Sequence, residues 1–123
     1  MRTGANWLRN FAKGQTNLEF YTPSDRIGKG LIIWHGFSTV INVREMGENC
    51  QVWQNVTIGK KSSTDYDDRP IIGAGTKICA GAIVAGEINI APEVTVGAGA
   101  VVVKDVPEPG TVVVSGPSRY IIR

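Results

Sequence analysis

The sequence predicts an all-β fold, a single-stranded parallel β-helix made of hexapeptide repeats, with a short N-terminal capping segment and one extruded loop. Three observations predict it. From Ile72 an aliphatic residue returns every six positions, at Ile78, Val84, Ile90, Val96 and Val102. Two positions before each, from Ile78 onward, stands a smaller or β-branched residue: Thr76, Ala82, Ile88, Val94, Ala100. One position after each of the first five comes a small one: Gly73, Cys79, Ala85, Ala91, Gly97. A spacing of six is neither the helical period nor plain alternation. A strict short repeat marks a solenoid.

Each hexad then makes a short strand and a corner, and three hexads close one triangular coil. The aliphatic residue points into a narrow interior and stacks on its counterparts in the coils above and below. The small residue after it is expected to let the chain turn tightly, since glycine tolerates positive φ. Backbone N–H and C=O groups pair between coils, so little buried main chain is left without a partner.

Length and charge bound the rest. The 123 residues make one domain. A net charge of +2 is too small to argue for nucleic acid or a membrane surface as partner. No apolar run is long enough to span a bilayer, and Met1 to Lys13 lacks a signal-peptide apolar core, so the expected location is cytoplasmic. The two cysteines show no metal-ligand spacing and suit a reducing compartment.

In chain order, residues 1–20 lie outside the repeat. Trp7, Leu8 and Phe11 suit the apolar side of a short capping helix, because the end of a solenoid is an open sheet edge that must be covered. The β-helix is assigned to 21–106. It begins at Ile27, continues at Ile33 and Thr39, slips phase once, and resumes at Met46, Val52 and Ile58. The phase is lost again across the polar stretch 59–70, which reads as a loop thrown out from one corner. Loops on a rigid scaffold are where function concentrates. The hexads amount to about four coils. Residues 107–123 form the tail: Pro107 and Pro109 are expected to end the regular coil, and the valines after them to lie back along it.

Few residues are suited to chemistry. His35 is the one histidine. It follows the small-residue position of the Ile33 hexad, which puts it at a coil corner pointing outward. Trp34 and Trp53 both occupy positions where the repeat wants something small. Trp34 protrudes beside the imidazole, whereas Trp53 suits a subunit interface as well as a substrate contact. Cys50 falls at an inward place that takes a small hydrophobe, Cys79 at a corner. The acidic run Asp65 to Asp68 is a solvated loop or a source of acceptor contacts. A zinc site on such a scaffold would typically need three histidines, which one per chain supplies only on an exact three-fold axis, so no metal is expected.

The hexads, HGFSTVIN at His35, QNVTIG ending at Gly59, the loop ending in Asp68-Arg69, and the SGPSR tail together resemble the hexapeptide-repeat acetyltransferases. The order and spacing look most like the serine acetyltransferase branch and its relatives in surface-polysaccharide biosynthesis. The resemblance covers roughly Phe20 to Ile122. It implies a left-handed β-helix, a homotrimer with active sites in the grooves between subunits, and acetyl-coenzyme A as donor. His35 matches the family's catalytic histidine. By the same match Gly59, Lys60, Ala80 and Ala98 line the coenzyme groove, and Lys104 and Arg119 are its phosphate-binding cations. Asp68 and Arg69 match the loop segment that faces the acceptor.

The chain also departs from the serine branch. Phe20 stands where a carboxylate pairs with the histidine, leaving Asp25 or a backbone carbonyl to orient the ring. Trp34 replaces the aspartate before the histidine, and Arg69 runs straight into Pro70 without the loop histidine. An aromatic beside the base suits stacking on a sugar, so a saccharide is the expected small-molecule acceptor. Serine is the alternative acceptor, and a non-catalytic trimeric scaffold the alternative of another class.

Overall fold

The computed structural model describes residues 18–116, and they wind into five triangular coils of short parallel strands. The first face carries β1 (Leu18–Phe20), β3 (Thr39–Ile41), β6 (Thr57–Gly59), β9 (Ile83–Ala85) and β12 (Val101–Val102). The second carries β4 (Glu45–Met46), β7 (Ile71–Ile72) and β10 (Asn89–Ile90), extended by single bridges at Ile27 and Val106. The third carries β2 (Ile32–Ile33), β5 (Gln51–Val52), β8 (Lys77–Ile78), β11 (Thr95–Val96) and β13 (Val112–Val113). The segments 1–17 and 117–123, including Trp7, Leu8, Phe11 and Arg119, lie outside the described residues.

The interior is the aliphatic repeat itself. Ile41, Ile58 and Val84 stack on the first face, Met46, Ile72 and Ile90 on the second, and Ile33, Val52, Ile78 and Val96 on the third, all buried. Cys50, Val56, Thr76, Ala82, Val94 and Ala100, two positions before their aliphatic, are buried too. The buried hydroxyls find carbonyls, Thr76 Oγ1 at Ala91 O (3.3 Å) and Thr39 Oγ1 at Phe37 O (3.1 Å). Polar atoms in a core this narrow must be paired.

The phase slip falls elsewhere than expected. Ile41, not Thr39, continues the inward rank, because Ile41 pairs with Ile58. Thr39 belongs to the rank two positions earlier. The step from Ile33 to Ile41 is therefore eight residues instead of six, and the next, to Met46, only five. The surplus swells one corner, Trp34 to Ser38, where His35 and Ser38 both take left-handed backbone, φ 53° and 51°.

The reason for the small residues also differs. The left-handed positions lie three residues before the inward aliphatic, as at Gly75 (φ 72°), Gly99 (73°), Asn49 (61°), Asn55 (59°) and Glu93 (61°). Gly47 and Gly73, just after their aliphatics, are small because the next coil lies against them. A Cβ on Gly47 would sit 2.5 Å from Ala74 N, and one on Gly73 2.5 Å from Pro92 N.

Both ends of the β-helix extend beyond 21–106. β1 already pairs in register with β3, and β13 with β11, which makes five coils where four were expected. Pro107 and Pro109 fall in the corner between Val106 and β13, where no ladder bond is required of them. Among the described residues no helix is long and apolar enough to cross a membrane.

Candidate active site

His35 stands exposed on the swollen corner between the third and first faces. Register assigns it a column: the residues two past the inward aliphatics of the third face are His35, Gln54, Ala80 and Ala98. The adjoining column, one residue past, is Trp34, Trp53, Cys79 and Gly97. The two tryptophans thus lie one above the other, ring centroids 5.9 Å apart and planes at 25°. Trp34 Nε1 donates to Gln51 Oε1 at 3.0 Å, which fixes the indole while leaving it 42% exposed.

Above the aromatics the corner opens. A Cβ on Gly99 would meet nothing within 4 Å, and one on Gly81 only the Gly99 backbone at 3.8 Å. The corner glycines keep the coils joined, Gly81 N donating to Gln54 O and Gly99 N to Ala80 O. What rises from Trp34 and His35 is an open corner of small residues: Ala80, Gly81, Ala98 and Gly99.

Nothing among the described residues hydrogen-bonds the imidazole. Asp25 lies in the 3-10 turn Ser24–Arg26, at the corner between the first and second faces, so it does not orient His35 within one chain. Phe20 packs against the core. Glu19 points outward on β1, where it accepts from Tyr21 Oη at 3.0 Å and thereby raises the phenol's pKa. Gln54 is a residue that the repeat pattern alone does not single out. Its Oε1 is cut off from solvent and has no hydrogen-bond partner among the described residues. Its place in the His35 column was the available signal, hidden by the misplaced phase slip.

The extruded loop leaves from Gly59 and returns before β7, at the corner between the first and second faces. Asp68 fastens it. The carboxylate is 7% exposed and accepts N–H groups from Lys61 (2.9 Å), Ser62 and Glu87 (2.8 Å). Burial alone would raise its pKa, but the bonds from Ser62, Glu87 and Lys61 outweigh burial and hold it below the ordinary carboxylate value. Arg69 ties the loop to the coil below, Nη1 donating to Val43 O at 3.1 Å and Nε to Tyr66 O at 3.2 Å. Tyr66 lies under both Arg69, 4.7 Å from its ring, and Lys60 Nζ, at 5.2 Å. A groove of about 440 Å³ runs beneath, lined by Arg26, Arg44, Arg69 and Tyr66 among others. Arg26 and Arg44 are partly neutralised by Glu45 and Glu87.

The expected site residues thus divide between two corners. Trp34, His35, Ala80 and Ala98 share one. Gly59, Lys60, Asp68, Arg69 and Lys104 share the other. The first face lies between them, and a strand of three residues spans about 10 Å. Within a single chain the loop does not meet the imidazole. Cys50 is no nucleophile: burial pushes its thiol up, and its Sγ bonds Gly73 O at 3.3 Å.

No family model matches the chain. It is 36% identical over 117 residues to a serine acetyltransferase of Synechococcus elongatus, covering 94% of this chain and 47% of that one. Its fold matches the serine acetyltransferase of Neisseria gonorrhoeae with a TM-score of 0.72 and 30% identity, over 97% of this chain and 46% of that one. The soybean serine acetyltransferase complexed with serine matches at TM-score 0.69 and 39% identity, over 78% of this chain and 40% of that one. The chain spans about half the length of these three relatives, or less. The likeness gives the coil its hand: it is a left-handed parallel β-helix.

Proposed function

The chain belongs to the hexapeptide-repeat acyltransferase family, in its serine acetyltransferase-like branch, and from that premise we propose that it transfers acetyl from acetyl-coenzyme A to a hydroxyl of a small molecule. One observation carries the reading. The only imidazole in the chain stands exposed in line with an open corner of alanines and glycines.

That corner fits the donor. An extended, flexible arm needs a path without bulky side chains, and the small residues from Ala80 to Gly99 leave one open. When bound, acetyl-coenzyme A contributes an activated thioester carbonyl. His35 takes the proton from the acceptor hydroxyl as its oxygen attacks the carbonyl carbon, and gives that proton to the coenzyme A sulfur as the C–S bond breaks. A neutral imidazole suits this because its ordinary pKa of about 6.5 lies near working pH. Backbone N–H groups of the corner are suited to receive the negative charge that develops on the carbonyl oxygen. Lys60, Lys104 and Arg119 are the candidates for the phosphates, and Gly59 for the wall of the groove.

The residues on the two corners come together only between chains. We therefore assign the working form to a homotrimer, each loop corner lying against the His35 corner of a neighbour. The outward apolar residues Ile83, Val101 and Val103, on and beside the first face, support such a contact. Asp68 then acts by holding the loop in shape, and Arg69 presents the loop to the acceptor.

For the acceptor, the similarity to serine acetyltransferases favours serine over the saccharide expected from the sequence. A saccharide of surface-polysaccharide biosynthesis remains the second reading, and Trp34 favours it. An exposed indole, held by Gln51 and Trp53, suits the apolar face of a sugar ring.

The test is thiol release from acetyl-coenzyme A with serine and a panel of nucleotide sugars, run on wild type and His35→Ala, with mass measured in solution. Acceptor-dependent release that His35→Ala abolishes, from a trimer, is the expected result. No release with any acceptor, and no binding at millimolar coenzyme, leaves a non-catalytic scaffold as the better account.

A further inference from the structure

The swollen corner places three residues of one coil opposite a single residue of the next. On one side of the bulge, Trp34 stacks on Trp53 and the backbone N–H of Trp34 donates to Val52 O at 2.8 Å. On the other, Asn55 N–H donates to Phe37 O at 2.8 Å. Between these two ties the lower coil has His35, Gly36 and Phe37, and the upper coil has Gln54 alone. Here stand two groups that each lack a partner among the described residues. Gln54 Oε1 is a buried acceptor with no donor. The His35 imidazole, one coil away, has an N–H to give and nothing fixing which nitrogen carries it.

Buried polar atoms without partners are rare in folded proteins. This one belongs to the residue one coil above His35, whose ring needs orientation, in a chain where Phe20 occupies the position of the carboxylate that the resemblance leads one to expect. The left-handed backbone of His35 points the same way. Strained conformations persist where the surroundings over-determine them, and they gather at functional sites.

We propose that Gln54 is the positioning residue for His35: its Oε1 accepts the N–H of one ring nitrogen, which leaves the other as the unprotonated acceptor of a substrate proton. The side-chain amide thereby does the tautomer-fixing work that a carboxylate does for other catalytic histidines. An amide carries no charge, so the ring is oriented without an ion pair. The inference rests on the reading of His35 as the base for its purpose, but not for its test.

Because the chain has one histidine, its ring nitrogens can be observed without ambiguity by nitrogen-15 NMR of the full chain. In wild type above the imidazole's titration, one tautomer is expected to dominate by at least about fivefold. In Gln54→Leu the two should approach the mixture of a free imidazole. Gln54→Glu, which offers an oxygen whichever way its end group turns, should restore the bias. If coenzyme-dependent transfer is present, Gln54→Leu should also lower kcat by roughly 10- to 100-fold, with KM for acetyl-coenzyme A changed less than twofold. Circular dichroism at matched concentration checks that the variants are folded. An unchanged tautomer ratio in folded Gln54→Leu overturns the proposal. A changed ratio in a chain that transfers no acetyl supports the contact while removing the enzyme reading.

Discussion

Trp34 lies against Trp53 one coil above it, the ring centroids 5.9 Å apart and the planes 25° from parallel. The pair builds a wall beside His35 out of two residues that each break the small-residue rule of the repeat. Stacked aromatic pairs add about 0.5–1.5 kcal/mol beyond their buried area. Trp34→Ala and Trp53→Ala are each expected to destabilise the fold by about 1–2 kcal/mol, with the double variant losing less than their sum. Urea unfolding of the four proteins at one protein concentration measures this. Strict additivity would mean that the two rings are only neighbours.

Asp68 makes a pH-dependent fastening. Its folded pKa lies below the ordinary value because three backbone N–H groups outweigh its burial. A group with a depressed folded pKa contributes stability that is fully present above its unfolded pKa and lost as pH falls through the folded one. Hydrogen exchange at the Lys61, Ser62 and Glu87 amides should therefore show protection that declines as the solution is acidified below the ordinary aspartate range, after correction for the intrinsic rate. In Asp68→Asn protection should be lower at neutral pH and lose that dependence. Identical profiles for the two proteins would mean that the carboxylate does not hold the loop.

Two glycines separate the two reasons for smallness. At Gly73 the φ is ordinary but an added Cβ would lie 2.5 Å from Pro92 N, so the backbone of two coils must shift. Gly73→Ala is expected to cost about 1–3 kcal/mol through overpacking. At Gly99 nothing lies within 4 Å, but φ is 73°. Gly99→Ala is expected to cost about 1–2 kcal/mol from conformation alone. Ser at each position distinguishes them in urea unfolding: the larger side chain should worsen position 73 further and leave position 99 near the alanine value.

The core was legible because the signal and the structure are the same thing: Ile72, Ile78, Val84, Ile90 and Val96 recur every sixth position since each fills the interior once per face. Thr39 misled because a threonine two before the aliphatic looks like the aliphatic of a hexad, and only the pairing of Ile41 with Ile58 separates them. The left-handed corners were not readable at Asn49, Asn55 and Glu93, where tertiary pairing imposes a backbone that glycine would signal. For the site, His35 could be singled out by type and place. Its column could not, because Trp34 and Trp53 stand nineteen positions apart instead of eighteen. The division of the expected residues between two corners was equally hidden, since a repeat specifies height along the coil more readily than position around it once a loop intervenes.

His35 sets function against stability at one residue. Its φ of 53° is uncommon for a residue with a side chain, although histidine is among the types enriched there. Relieving that conformation gains about 1–2 kcal/mol, and the freer unfolded chain of a glycine variant takes back about 0.5–1. His35→Gly should therefore be as stable as wild type or slightly more so, while acetyl transfer falls by about 100- to 10,000-fold, the usual contribution of a general base. Glu93→Gly is the control, with a φ of 61° on a corner away from His35. It should show the same small effect on stability with the rate unchanged. Thermal unfolding and initial rates on the three proteins decide the matter. Transfer by His35→Gly at the wild-type rate would remove the imidazole from the mechanism. A large loss of stability in that variant would mean that the side chain holds the corner together, and that its exposed position serves the fold more than the chemistry.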